Sequence, residues 1–180
     1  LSIALKTLGY DAISLTGAQA GIKTIGHYMK NRIVDIDAES IKKHLDSGKI
    51  VVVAGFQGVN EVGDVTTLGR GGSDTSAVAL ASALKGKCEI YTDVDGIYSI
   101  DPRVYSDAKK LPFISYDEMM ELAYLGAGVM EPRAVELGGK YGVEIYVGKS
   151  LGEKNGTIIT SIEKIKQDYL IHNDRLFPNK

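Results

Sequence analysis

One cysteine, Cys88, stands among the 180 residues, so no disulfide can form within the chain. Its place in the strand-forming run CEIYTDV gives it a buried apolar role, which suits a reducing compartment such as the cytoplasm. Histidine is nearly as scarce: the three present show no metal-ligand spacing, so no metal ligands are assigned. Neither sign of charge prevails. The 21 basic and 23 acidic residues leave a formal net charge of -2 and are mixed along the sequence, which provides no basic stripe for a nucleic acid. Long hydrophobic runs are missing as well. The longest, IVVVAGF from Ile50 to Phe56, falls far short of the roughly 18 residues of a membrane span. No charged, then apolar, then small-residue leader opens the chain. The expectation is a soluble cytoplasmic protein with neither a membrane nor a nucleic acid as partner.

What is present is ample apolar content. At 44 % apolar, the chain can build a core of ordinary size and fold as one compact unit or most of one. It begins without a methionine, already inside a helical apolar pattern of Leu1, Leu5 and Leu8, and is therefore expected to be a piece of something longer. Apolar runs bounded by turn signals alternate with helical stretches. AISLT and CEIYTDV read as strands, and IVVVAG as a buried one. Ala38 to Leu45 reads as a helix with Asp37 as a cap and Gly48 as its stop. SDTSAVALASALKG, SYDEMMELAYLGA and PRAVELGGKYG read as helices, and VEIYVG as a further strand. This alternation predicts an α/β fold, with a largely parallel sheet covered on both faces. No fixed-period repeat or low-complexity segment interrupts it. The polar stretch IEKIKQDYLIHNDRLFPNK reads as a tail or the start of another element.

Ligands of such sheets gather where strand ends meet helix starts. Three turns qualify: GFQG, GRGGSD and TDVDGIYSIDPR. The common nucleotide motifs do not fit them. GRGGSD lacks the third glycine of the dinucleotide fingerprint. GVEIYVGKS ends like a phosphate loop, but five residues separate Gly142 from Gly148 where that motif has four, and VEIYV is strand-forming. Asp93 and Asp95 before Gly96 lack the remaining positions of a calcium loop.

The stretch TLGRGGSDTSA, Thr67 to Ala77, joins an anion-friendly helix start to a fixed negative charge. Gly71 and Gly72 can bring bare N–H groups against an anion, and the helix that follows adds unpaired donors and the positive end of its dipole. Arg70 supplies a planar fork for a carboxylate or phosphate. Asp74 would repel a simple phosphate. An α-amino acid resolves the conflict, with its carboxylate on Arg70 and the glycine amides and its ammonium on Asp74. A plainer arrangement also fits, in which Ser73 or Asp74 caps the helix and Arg70 pairs with it. In TDVDGIYSIDPR, Thr92, Asp93 and Asp95 lie at a strand end, Tyr98 offers a flat face for a base, and Arg103 a cation for phosphate oxygens. A nucleotide fits there, as does an ordinary Asp95–Gly96 turn with Tyr98 in the core.

The combination GDVTTLGRGGSDTSA, CEIYTDVDGIYSIDPRV, KKLPFISYDEMMELAYLGAGVMEPRAVELG and GTIIT resembles, in order and in spacing from about Leu1 to Thr160, the catalytic domain of the aspartokinases in the amino acid kinase superfamily. The resemblance implies a three-layer αβα sandwich around a mainly parallel sheet, with residues 1–162 forming a partial kinase domain and residues 163–180 a tail without a recognisable ACT domain. It also implies that Arg70, Gly71, Gly72, Ser73 and Asp74 hold the substrate amino acid, with Arg70 and Asp74 carrying the catalytic role. Thr92, Asp93, Tyr98, Asp101 and Arg103, together with Gly128 and Val129, would hold ATP.

The implied reaction is the ATP-dependent phosphorylation of L-aspartate on its β-carboxylate, with Mg2+ arriving on ATP and no metal ligand from this chain. The complete enzyme is expected to be a homo-oligomer in the aspartate-family biosynthetic pathway. Gamma-glutamyl kinase shares the DGIYSIDPR-like loop but not TLGRGGSD. A non-catalytic ligand-binding fragment is the other alternative. The chain departs from the family pattern at Gly128, where some members have lysine, at Glu131 in EPRAVE, and in VGKS. It also contains neither the lysine- and glycine-rich strand turn nor the glutamate that precede this region in the family.

Overall fold

The computed structural model describes residues 1–26, 31–151 and 155–170, so the end of the expected tail, residues 171–180, lies outside the described residues. The fold is α/β and divides into two compact units, one spanning Leu1–Gly86 and one beginning at Lys87.

The first unit runs α1 (Ser2–Thr7), β1 (Ala12–Leu15), β2 (Ile22–Ile25), β3 (Arg32–Ile36), α2 (Glu39–Asp46), β4 (Ile50–Val53), β5 (Gln57–Val59), β6 (Val65–Thr67) and α3 (Gly72–Leu84). Strands β1 and β4 form a parallel pair, Ala12 opposite Ile50 and Leu15 opposite Val53. The other four make a sheet in the order β3-β2-β5-β6, parallel only between β2 and β5. Leu15, Ala20, Ile22 and Ile41 form its core, with Leu80 and Leu84 of α3 packed against them. A glycine is required at position 58. A Cβ there would lie 2.5 Å from Thr24 Cγ2, and across this gap the buried hydroxyls of Thr24 and Thr66 bond at 2.5 Å, linking two strands that are not neighbours.

The N-cap of α2 is Ala38 rather than the expected Asp37, whose carboxylate accepts the Glu39 N–H from one residue before the cap, and Gly48, at φ +80°, follows the helix end as its residue type predicts. The expectation of a buried strand at IVVVAG needs correction. Ile50 is 39 % exposed and Val51–Val53 are only half-buried, because within its unit β4 pairs with β1 alone. The opening pattern Leu1, Leu5, Leu8 does mark a helix, yet no residue of α1 is buried.

The second unit runs β7 (Cys88–Thr92), β8 (Ile97–Tyr98), β9 (Lys110–Leu111), β10 (Phe113–Ser115), α4 (Tyr116–Tyr124), α5 (Pro132–Tyr141), β11 (Ile145–Lys149), β12 (Thr157–Thr160) and α6 (Ile162–Lys164), followed by a π-helical turn over Ile165–Leu170. Its sheet has the order β10-β12-β11-β7, with β7/β11 and β10/β12 parallel and β11/β12 antiparallel. Ile114, Met119, Val135, Val143, Ile145, Val147 and Ile159 fill its interior, and Cys88 is buried as expected. Ser115 opens α4 with a reciprocal capping box to Glu118. Pro132 starts α5, and Gly142, in the left-handed conformation, ends it.

Candidate functional site

The residues of TLGRGGSD form the connection from β6 to α3. Gly69 and Gly71 take φ values of +78° and +68°, which glycine adopts without the strain of a side chain. Gly71, which has no side chain of its own to cap with, is the N-cap, and Asp74 stands in the first turn. Of the amides in the first turn of α3, the Gly72 N–H donates to the Gly69 carbonyl at 3.1 Å. Arg70 and Ser73 are exposed, Gly71 and Asp74 half-buried, and Gly72 buried. Among the described residues Arg70 forms no ion pair. A positive fork, a set of backbone donors and one carboxylate thus share a single turn, an arrangement able to receive a zwitterion.

Two residues to which the sequence assigned no role of their own, Phe56 of the GFQG turn and Ser76, complete this mouth. Phe56, just after β4, has φ +68° although it is not glycine, a conformation that costs on the order of 1–3 kcal/mol. Its N–H donates to Ser76 Oγ at 3.1 Å, and its carbonyl accepts the Leu68 N–H at 2.9 Å. The positive φ of a phenylalanine leaves no mark in sequence periodicity, and Ser76 reads there as one small residue among many.

In the second unit two of the candidate nucleotide residues, Thr92 and Asp93, lie at the carboxyl end of β7, which runs parallel to β11. Thr92 closes β7 opposite Lys149 of β11, and the Thr92 carbonyl accepts both the N–H and the Oγ–H of Ser150, at 3.0 Å each. Thr92 Oγ1 donates to Asp93 Oδ1 at 3.0 Å. Tyr98 is half-buried, and its phenol donates to both Asp95 oxygens at 3.1 Å. Lys110, directly across the β8/β9 ladder from Tyr98, bonds Asp95 at 3.2 Å and Asn155 at 3.0 Å. Partial burial pushes the Asp95 carboxyl up, but the hydrogen bonds from Lys110 and Tyr98 outweigh it and leave the group below the usual carboxylate range. Burial, and then the bond to Asp95, push the Tyr98 phenol up.

Asp101 and Arg103 form an exposed forked pair, with Nη2 to Oδ2 at 2.8 Å, and the Arg103 guanidinium holds the Asp101 carboxyl below its ordinary value. Gly128 and Val129 sit in the α4–α5 connection; a Cβ on Gly128 would meet nothing within 4 Å, so a side chain at this position has room. Thr157 Oγ1 accepts the Ile97 N–H at 2.8 Å and donates to the Leu111 carbonyl at 2.6 Å, anchoring the β8/β9 ladder on β12. The role of Lys110 escapes sequence reading because β8 and β9 are two residues long, too short for any period to register. Among the described residues no cluster of His, Cys, Asp or Glu could hold a metal ion, and no helix is long and apolar enough to cross a membrane.

A model of the amino acid kinase family matches residues 1–149. The chain is 55 % identical over 172 residues to the aspartokinase of Bacillus sp. (strain MGA3) and 54 % identical over 172 residues to aspartokinase 2 of Bacillus subtilis (strain 168). These matches cover 95 % of this chain, which spans 42 % of the length of each relative. Among solved structures it is similar to aspartate kinase from Synechocystis, with a TM-score of 0.73 and 49 % identity over 89 % of this chain and 26 % of that one. It is also similar to E. coli aspartokinase III in complex with aspartate and ADP, with a TM-score of 0.77 and 30 % identity over 87 % of this chain and 36 % of that one.

Proposed function

Because the chain belongs to the amino acid kinase family, we propose that it is the carboxyl-terminal portion of an aspartate kinase catalytic domain, residues 1–162 being the kinase part. The reaction is transfer of the γ-phosphoryl group of ATP to the β-carboxylate of L-aspartate, giving 4-phospho-L-aspartate and ADP. The observation that carries this reading is the mouth of α3, where an exposed Arg70, a left-handed Gly71 cap without a side-chain capping bond, and Asp74 in the first turn offer complementary charges to an amino acid head group. In support, relatives sharing about half of its residues are aspartokinases, and one structural neighbour was solved with aspartate and ADP. These relatives favour aspartate over glutamate as the acceptor.

In this reading Arg70 and the Gly71, Gly72 and Ser73 backbone take the α-carboxylate, and Asp74 takes the ammonium. Thr92, Asp93, Tyr98, Asp101 and Arg103, with Gly128 and Val129, hold ATP. The β-carboxylate attacks the γ-phosphorus in line and the bond to the β,γ-bridging oxygen breaks, so the enzyme's task is positioning and charge stabilisation rather than proton removal. Magnesium enters on the ATP phosphates, which it binds with retained waters, and no ligand from this chain is assigned to it. The complete protein is a cytoplasmic homo-oligomer that catalyses the first step of aspartate-family amino acid synthesis.

Aspartyl hydroxamate formation tests this reading, with the chain joined behind an aspartokinase amino-terminal segment that carries the lysine- and glycine-rich turn. Aspartate-dependent turnover is expected from the joined protein. The 180-residue chain alone should be slower by about 10²- to 10³-fold, the usual effect of losing one group that stabilises transition-state charge. Preference for glutamate would overturn the substrate assignment. Nucleotide binding without turnover in the joined protein would favour a non-catalytic fragment.

A further inference from the structure

We infer that Ser76 is a positioning residue for the amino acid head-group site, a role that rests on the reading of the α3 mouth just given. Ser76 lies one turn into α3 and is 1 % exposed. Its Oγ donates to the Gly72 carbonyl at 2.7 Å and accepts the Phe56 N–H at 3.1 Å. Among the described residues, Phe56 and Lys85 are the non-glycine residues with positive φ. Lys85 is the C-cap of α3, where the left-handed conformation is common. Phe56 has no helix end to account for its conformation; it lies in the connection between β4 and β5, and a strained residue of this kind persists only where its surroundings hold it.

The holding groups are identifiable. The Ser76 hydroxyl fixes the amide side of Phe56, and the Leu68 N–H fixes its carbonyl at 2.9 Å. Leu68 precedes the Arg70 turn and Ser76 follows it, so the Phe56 backbone is clamped to both flanks of that turn. Gly72 fits beneath the clamp: a Cβ there would lie 2.8 Å from Leu68 Cβ and 2.9 Å from Phe56 Cδ2. The Gly55 backbone also lies against Ser73, with 3.5 Å from an added Cβ to Ser73 Cα. The Ser76 hydroxyl therefore sets the spacing between the Phe56 bend and the first turn of α3, where the ligand carboxylate is received. Without it the Phe56 N–H loses its acceptor, and the bend can relax toward an ordinary φ.

Four proteins decide the matter: the unmodified chain, Ser76→Ala, Phe56→Gly and the double variant. In Ser76→Ala, amide hydrogen exchange at residue 56 should rise at least about tenfold, the effect of losing one hydrogen bond. The denaturant midpoint should fall, but by less than half as much when position 56 is glycine, which holds a positive φ unaided. In the chain joined to the amino-terminal segment, Ser76→Ala should raise the aspartate KM about tenfold and leave the ATP KM within about twofold. Equal midpoint losses in both backgrounds, unchanged exchange at residue 56, or an unchanged aspartate KM would each overturn the inference. If Ser76→Ala alone does not fold, a folded double variant supports the clamp and an unfolded one refutes it. If the unmodified joined protein does not phosphorylate aspartate, the proposed function falls by that result, whereas the exchange and unfolding measurements still judge the hold of Ser76 on Phe56.

Discussion

Arg70 and Asp74 were legible as a pair because opposite charges around two glycines ask for a ligand with both signs, and the structure places both at the start of α3. In the joined protein, Arg70→Ala should raise the aspartate KM by a hundredfold or more, since a charge-assisted forked contact is worth on the order of 2–5 kcal/mol when one partner is removed. Arg70→Lys should recover only part of that loss, because an ammonium cannot reproduce the fork. An unchanged KM in the alanine variant would remove Arg70 from the site. The Asp95–Tyr98–Lys110 cluster was not legible, since its members meet across a ladder of two-residue strands. Its pH behaviour follows from the two shifts. Asp95 lies below its unfolded value, so its contribution to stability is present above the ordinary carboxylate range and is lost as pH falls through the lowered value. Tyr98 lies above its unfolded value, so its contribution stands below the ordinary tyrosine value of about 10 and is lost as pH climbs through the raised one. Carbon NMR of labelled tyrosine should show Tyr98 titrating above free tyrosine, and Asp95→Asn should bring it down. A Tyr98 that titrates with the exposed tyrosines would refute the cluster.

Among the elements, helices α2 to α5 and strands β1, β7 and β11 follow from apolar spacing and end signals that agree with one another. Strands β2, β3, β5 and β6 do not. They are three to five residues long, and a mandatory glycine and buried threonines stand where an apolar alternation would have announced them. Two glycine-to-alanine changes separate an element under constraint from one with room. Gly72→Ala at the start of α3 should destabilise the fold by about 1–3 kcal/mol through overpacking against Leu68 and Phe56. Gly128→Ala, in open space between α4 and α5, should stay within about 0.5 kcal/mol. Denaturant unfolding of the two variants checks both, and similar losses would show that the α3 start yields more readily than its contacts imply. At α4, Ser115→Ala removes the half of the capping box in which Ser115 Oγ accepts the Glu118 N–H at 3.3 Å, and should cost about 1 kcal/mol in the same measurement.

Over the whole molecule, the chain spans 42 % of its relatives and leaves large apolar side chains uncovered, among them Leu1 at 84 %, Ile3 at 81 % and Leu8 at 73 % exposure. The sequence displayed these residues as a helix but could not say that nothing in the described structure would bury them, because periodicity reports which side of a helix is apolar and not whether a partner for it exists. The isolated chain should therefore associate with itself as concentration rises, and the joined protein should do so less. Light scattering across a dilution series reads the difference, and equal behaviour would show that the exposed leucines are harmless. The single thiol gives the second unit a clock of its own. Cys88 is 4 % exposed on β7, an outer strand of its sheet, four residues before Thr92. An alkylating reagent reaches it only in the fraction of molecules whose β7–β11 pairing has momentarily come apart, so its labelling rate counts those openings. A nucleotide that binds the closed form must slow the labelling in proportion to its occupancy, which turns one buried sulfur into a binding assay that requires no catalysis.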